Sequence, residues 1–519
     1  MLFGVRCWVM AVGYWLLGVG FATAQRYVVV DSETPVAASD VKKITYETDD
    51  QFETTLLASR LAADQKTRLF SQALQATGLA DTLRLYWIDY KCPYSGKHRF
   101  QAHNWSEVAW YNTQRFRMFT VFAETDDVLA AQGINSLNDL KAYAKQVYDA
   151  VYPEDAGVSD PTDRRNSLNR FVSYHILRHG STYYYLTAYD GYLMEYCFDR
   201  NLADIAAWYA TMMPGAAMKC SYPDAGDESG LYLNRRGLKD GPDKYGKQIR
   251  GAKIVADGDG DEPFTHKAFN GYYYYIDRML TYDQQTRDDV LGGERWRVDA
   301  KTLSPDIMNV YDRGLYWLYY DTVADEYYDY NAHRKGIIFA WDGIENFSNT
   351  TDSPGLAYRQ PYIVYSMYEG DELVVNGDFD ITIKLPPLPA GEWEVRLGNN
   401  AQTSSVRVWL NGTLAIDSLS LWDKYQEDST LPYTIMKGPR ECGSYSGNNF
   451  SPICNNSYSA RIVLGRIQSD GKSDNYLRLK KLENDYQGNS LVESQNGLSI
   501  DYLEFCPASI CDNQEIPED

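Results

Sequence analysis

The apolar pattern changes period once along the chain, and that change constrains the fold more than any other feature. From about Val41 to Leu280 apolar residues recur at helical spacing with short strand-like runs between them. Past about Arg297 they alternate with polar residues. Within the first regime, Leu56, Leu57, Leu61, Leu69, Phe70 and Leu74 give 52–77 one apolar helical face, and Gly78 stops it. Phe119 to Ala123 reads as a short buried strand. Thr125 then caps a helix whose first turn carries Asp126 and Asp127, acids favoured at the positive end of the helix dipole. Ser136 and Asp139 resemble a capping box for a helix over 137–148, and 168–177 reads as a third helix stopped near Gly180. Asn270-Gly271 is a turn signal placed before the β-rich run 272–280.

In the second regime Phe379, Ile381, Ile383 and Leu385 alternate with polar residues, as do Trp393, Val395 and Leu397, then Val406, Val408 and Leu410. Pro386 to Gly391 separates the first two runs, and Asn411-Gly412 follows the third. Further strands are expected over 460–467, 476–482 and 498–505. Short strands punctuated by turns predict an antiparallel β-sandwich. At roughly 150 residues per domain, 519 residues hold two or three domains. The class expected is multidomain, α+β followed by all-β.

The motifs of the first regime, in their order, resemble the fasciclin-like domain of bacterial type. Thr120-Val121-Phe122-Ala123-Glu124-Thr125-Asp126-Asp127 stands where that family has threonine-valine-phenylalanine-alanine-proline-threonine-asparagine, with Glu124 for the proline and Asp126 for the asparagine. Ser173-Tyr174-His175-Ile176-Leu177 is similar to its tyrosine-histidine motif, and Asn270-Gly271 through Ile276-Asp277 to its closing motif. The resemblance implies a fasciclin-like α/β domain over 41–300, enlarged by loop-rich insertions near 87–114 and 185–261. It also implies contact-making residues at Thr125, Asp126, Tyr174 and His175. His175 would be a packed histidine, with Asp126 or its neighbours as hydrogen-bond partners. More loosely, Leu388 to Leu397 together with Asp501 to Phe505 resembles a galactose-binding-type jelly roll. The layout expected is a signal peptide at 1–24, a leader at 25–40, the α/β domain, a Tyr-rich connection at 301–360 and the sandwich at 361–519.

The start of the chain reads as an export address. Arg6 precedes the apolar run Trp8 to Phe21, and Ala22-Thr23-Ala24 has the small-x-small form of a signal-peptidase site. The run is shorter than the about 20 residues a spanning helix needs. An extracytoplasmic protein is expected: periplasmic, secreted or associated with the cell surface. Seven of the eight cysteines follow this segment. Cys442 with Cys454 and Cys506 with Cys511 are the local disulfide loops to expect, and Cys197 with Cys220 is a more distant pairing.

Fifty basic residues against 71 acidic ones give a net charge of -21, which repels phosphate backbones and so argues against nucleic-acid partners. No GxSxG, HExxH, GxxxxGK[ST] or GxGxxG motif occurs. His175 and His179 are four apart, a spacing at which two imidazoles can meet one metal, but no third ligand accompanies them. Asp257, Asp259 and Asp261 are calcium candidates by alternation. The EF-hand pattern fails because Glu262 holds the glycine position and Ala268 that of the bidentate glutamate, so a solvated acidic turn is the reading. No cofactor is expected. Among aromatic residues, Trp393 reads as core, while Trp409, Trp422 and Tyr425 could stack on sugar rings.

These features point to a secreted, non-enzymatic adhesion or recognition protein whose partner is a glycan or an extracellular protein. The alternatives are a carbohydrate-active enzyme using paired carboxylates, or a structural subunit of a surface assembly.

Overall fold

The computed structural model describes residues 27–28, 36–37, 50–89, 114–187, 205–222, 230–237, 241–243, 245–258, 263–312, 335–337, 344–349, 356–359, 372–376, 379–400, 404–421, 436–437, 444–446, 449–451, 459–482 and 497–513. Residues 1–54 and 55–519 form separate units. In the first, Tyr27–Val28 pairs with Val36–Ala37 and Asp50–Glu53 is a short helix.

The second unit begins with helices Leu57–Ala63 and Arg68–Ala76, so the continuous helix expected over 52–77 is broken. Leu56 is extended where the first of these starts, and Asp64 is extended where it ends. The Asp64 side chain accepts from Lys66 N at 2.9 Å, a local turn that competes with helix propagation. The expected caps are present. Thr125 Oγ1 accepts from Val128 N, and Ser136 Oγ accepts from Asp139 N while donating to Asp139 Oδ2 at 2.8 Å. Helix Ser167–Tyr174 ends earlier than read, because His175 turns the chain into the strand Ile176–Leu177.

The central sheet is ordered His266–Ala268, Gly271–Ile276, Phe119–Glu124, Ile176–Leu177. Its two middle strands run parallel and every residue in them is buried. Asn270 fixes their start. Its Oδ1 accepts from Leu57 N at 2.9 Å, and its Nδ2 donates to Leu83 O at 2.8 Å and Leu85 O at 2.9 Å. Gly271 follows at φ 151°, where an added Cβ would lie 2.0 Å from Phe119 O, so only glycine admits this approach.

Part of the 185–261 segment, read as loops, is instead an antiparallel sheet of Ile205–Ala210, Ala217–Tyr222, Tyr232–Leu233 and Ala252–Lys253. Its first strand, Ile-Ala-Ala-Trp-Tyr-Ala, lacks the alternation that announces a strand because both of its sides are covered: Ala206 to Tyr209 are all buried. Trp208 stacks on Trp296 at 6.2 Å between ring centroids, and Trp296 meets Trp393 edge-on at 5.5 Å.

The C-terminal part is built from antiparallel sheets. One is ordered Trp296–Asp299, Tyr502–Pro507, Gly391–Asn400, Ser459–Ser469, Met436–Lys437. Another is ordered Ile344–Asn349, Phe379–Lys384, Tyr476–Lys481, Ser405–Leu410, Thr413–Ser420. Trp393, Val395, Leu397, Leu503 and Phe505 of the first share one buried core with Phe379, Ile381, Ile383, Val408 and Leu479 of the second. Trp393 is core, as read, and its indole donates to Pro389 O at 2.9 Å. A third sheet joins Lys335–Ile337, Leu356–Arg359, Glu372–Asn376 and Gly497–Ile500. The strand Trp296–Asp299, inside the span given to the α/β domain, thus pairs with the last strand of the chain. The expected Cys506–Cys511 bridge is not formed, and neither residue is in a disulfide. Cys506 is buried in its strand, whereas Cys511 Sγ faces Arg466 and Asp512. Cys220 is buried and likewise in no disulfide, and Cys197, Cys442 and Cys454 lie outside the described residues.

Replacing Asn270 with Ala would leave two buried backbone groups, Leu57 N and Leu83 O, without this partner, at about 1–3 kcal/mol each, together with the part-buried Leu85 O. We expect Asn270→Ala to lower the urea-unfolding midpoint sharply, with Asn270→Asp, which keeps the acceptor, intermediate.

Candidate functional site

The four motif residues do not form one surface. Thr125 and Asp126 lie at the partly exposed end of the central strand, while Tyr174 and His175 are fully buried. His175 Nδ1 lies 2.7 Å from Phe171 O and its Nε2 lies 2.9 Å from Glu124 Oε1. The same carboxylate oxygen accepts from Leu280 N at 2.9 Å. The partner of His175 is therefore Glu124, a neighbour of Asp126. Asp126 instead accepts from Leu69 N at 3.0 Å and from Arg68 Nε at 2.9 Å, anchoring the start of helix Arg68–Ala76. Tyr174 donates to Ala217 O at 3.1 Å and accepts from Asn234 Nδ2 at 2.9 Å, tying its helix to the neighbouring antiparallel sheet. Burial pushes its phenol well above the ordinary range.

His179 does not share a helix face with His175, because the chain has become a strand between them. Its Nδ1 contacts Ser181 Oγ at 3.0 Å, and its buried Nε2 has no hydrogen-bond partner. Burial lowers its pKa to about 3.

A cluster missed from the sequence packs against the turn after helix Leu57–Ala63, with its tyrosines and His266 buried and Lys66 and Asp257 exposed. Tyr273 donates to Asp64 Oδ2 at 3.0 Å and Tyr275 donates to the same oxygen. The His266 ring stacks on Tyr273 at 4.5 Å. Lys66 pairs with Asp257, a contact that raises its pKa. The alternation of Tyr273 and Tyr275 was a visible signal; the turn that brings Asp64 beneath them was not. Asp257 is thus engaged by a lysine, while Asp259 and Asp261 lie outside the described residues. Among the described residues no group of three or more His, Cys, Asp or Glu side chains is placed to hold a metal ion.

In the C-terminal part, Trp409 lies on the outer face of its sheet. Burial alternates strictly along Phe379–Lys384, and Val408 points inward while Trp409 is half-exposed. Cross-strand register places Thr382, Arg478, Trp409 and Leu414 in one row. The Arg478 guanidinium sits 4.5 Å from the Trp409 ring centroid, and Asp380 holds it in a fork, with Nε to Oδ1 at 2.8 Å and Nη2 to Oδ2 at 2.6 Å. Leu414 is 48% exposed beside it. Trp422 and Tyr425 lie outside the described residues.

No family profile and no curated protein matches the sequence. Solved structures with partial likeness include the insecticidal crystal protein Cry2Aa, at 13% identity over 32% of this chain and 20% of that one, TM-score 0.20. A family 35 carbohydrate-binding module from Clostridium thermocellum is similar at 14% identity over 32% of this chain and 91% of that one, TM-score 0.15. A family GH115 4-O-methyl-α-glucuronidase is similar at 12% identity over 40% and 21%, TM-score 0.18. The chain thus spans about a fifth of the first and third. At these scores none of the three assigns a fold or an activity. Among the described residues no helix is long and apolar enough to cross a membrane.

The unfolded chain protonates His179 near the ordinary 6.5, whereas the folded chain resists until about 3. Its contribution is therefore complete above pH 6.5 and is lost as pH falls. Stability should drop by about 2 kcal/mol between pH 7.5 and 5 from this group. His179→Gln should flatten that part of the urea-midpoint profile.

Proposed function

We propose that the chain is a non-enzymatic, extracytoplasmic recognition protein. In this reading a galactose-binding-type sandwich takes a glycan on its open Trp409 face, and the fasciclin-like half makes protein or surface contact. The observation that carries the proposal is the row of Thr382, Arg478, Trp409 and Leu414 across a solvent-facing sheet. An indole held by an anchored guanidinium, with an exposed leucine beside it, offers an apolar platform for the C–H face of a sugar. Asp380, Thr382 and Arg478 stand within the same face to hydrogen-bond hydroxyls.

The fasciclin-like assignment draws support from the meeting of the motifs: His175 bonds to the first motif through Glu124, and Asn270-Gly271 starts the strand beside it. In this reading contact falls on the rim around Asp126 and Lys66 rather than at the buried Tyr174 and His175.

A binding role also agrees with the state of one close, partly buried carboxylate pair, Glu294 and Asp243. Glu294 is held above the usual carboxylate range, burial outweighing the pull of Lys219 at 2.6 Å and of Arg236. Asp243 lies near it, but Arg236 Nε stands between them, 2.6 Å from Asp243 and 3.7 Å from Glu294, where a glycosidic bond would need to lie.

The test is a glycan array followed by titration of Trp409→Ala. We expect retention of one class of oligosaccharide by the wild-type chain, no released product, and a loss of at least about tenfold in the variant, or about 1.4 kcal/mol. Unchanged affinity, or sugar release, rejects the proposal.

A further inference from the structure

The seam between the central sheet and its antiparallel neighbour carries a cluster of cations around one carboxylate. The strand Ala252–Lys253 pairs with Tyr232–Leu233 on one side, while Ile254 bridges to Ile276 of the central sheet on the other. That arrangement brings Arg250, Lys253, Asp277 and Arg278 together. Asp277 Oδ2 lies 2.7 Å from Arg250 Nη1, and its Oδ1 accepts from Lys253 N at 2.9 Å and lies 3.7 Å from Arg278 Nε. Arg250 Nη1, close as it is, is not aligned for a hydrogen bond. The Lys253 ammonium and the Arg250 guanidinium lie 5.4 and 5.5 Å from the centroid of the same buried Tyr232 ring. Among the described residues Lys253 Nζ faces that ring and no carboxylate.

Arg250 and Arg278 share the one carboxylate of Asp277 while the Lys253 ammonium sits over Tyr232, so the cluster remains a positive spot on a chain of net charge -21. The tyrosine ring attracts them but does not neutralise them. The backbone also makes room for the lysine. Gly230 sits at φ 133°, and an added Cβ there would come within 2.9 Å of Lys253 Cε. We propose that Arg250, Lys253 and Arg278 form an oxyanion site that takes the sulfate or carboxylate group of an acidic glycan. Guanidinium forks match the paired oxygens of either group, and the ammonium supplies a movable point charge. Three cations are too few to hold a nucleic-acid backbone against the overall charge, and the buried Tyr232 offers no open face for a base. The site is distinct from the Trp409 face and stands whether or not that face binds sugar.

The test titrates the full chain with dextran sulfate, polygalacturonate and neutral dextran, at low and at raised salt. Binding to either acidic polymer, weakening with salt and absent for neutral dextran, is expected. Dextran sulfate alone identifies a sulfate site, polygalacturonate alone a carboxylate site, and both a general oxyanion site. Lys253→Glu should weaken binding by about tenfold or more. Arg278→Glu should do the same, and because this side chain is 48% exposed it leaves folding untouched. The proposal is overturned if neither acidic polymer binds, if a single-stranded oligonucleotide binds more tightly than both, or if Arg278→Glu binds unchanged.

Discussion

The parallel pairing of Phe119–Glu124 with Gly271–Ile276 is the constraint on which the first half of the protein depends. It joins segments far apart in sequence, so the chain between them must leave and return within fixed limits. Both strands are buried on both faces, which removes water as a partner for their backbone groups and forces the ladder to be complete. Asn270 and Gly271 satisfy that demand at one end, by three side-chain hydrogen bonds and a close backbone approach. Glu124 satisfies it at the other, by holding His175 and Leu280 with one oxygen. Everything inserted between these ends, including the antiparallel sheet that carries the cation cluster, is positioned by how the loop closes.

Charge is handled differently at different depths. Glu124 at the core meets an imidazole and an amide. Glu504, fully buried in the C-terminal sheet, is met by Arg396 at 2.9 Å and Arg297 at 3.3 Å. Removing one partner from such sites would leave an uncompensated buried charge, so they act as registry pins between strands. The Asp277 cluster departs from this pattern because its cations outnumber its acid at a partly exposed seam.

Local signals were legible wherever the cause was local. Thr125, Ser136 and Asp139 cap helices as their spacing implied, and the alternation around Phe379 and Val408 gave the correct inward face. Trp393 was recognisable as core for the same reason. The broken helix over 52–77 was hidden because its apolar face continues through the turn at Asp64. The strand Ile205–Ala210 was hidden because coverage on both sides erases alternation. The pairing of Trp296–Asp299 with Tyr502–Pro507 could not be seen, since nothing in a four-residue run names a partner two hundred positions away. At the candidate site, Trp409 was readable from alternation. The cations at 250, 253 and 278 were not, since only the sheet seam collects them.

The sequence of rings from Trp208 through Trp296 to Trp393 runs from the α/β half into the body of the β half. Sliding or separating the halves along this line would break the indole contacts, so the packing opposes such displacement. An extended polymer touching both would meet anchor points at a set distance, like pegs on a rail. Chains whose repeat matches that distance would gain from holding on twice, while shorter fragments would slip free.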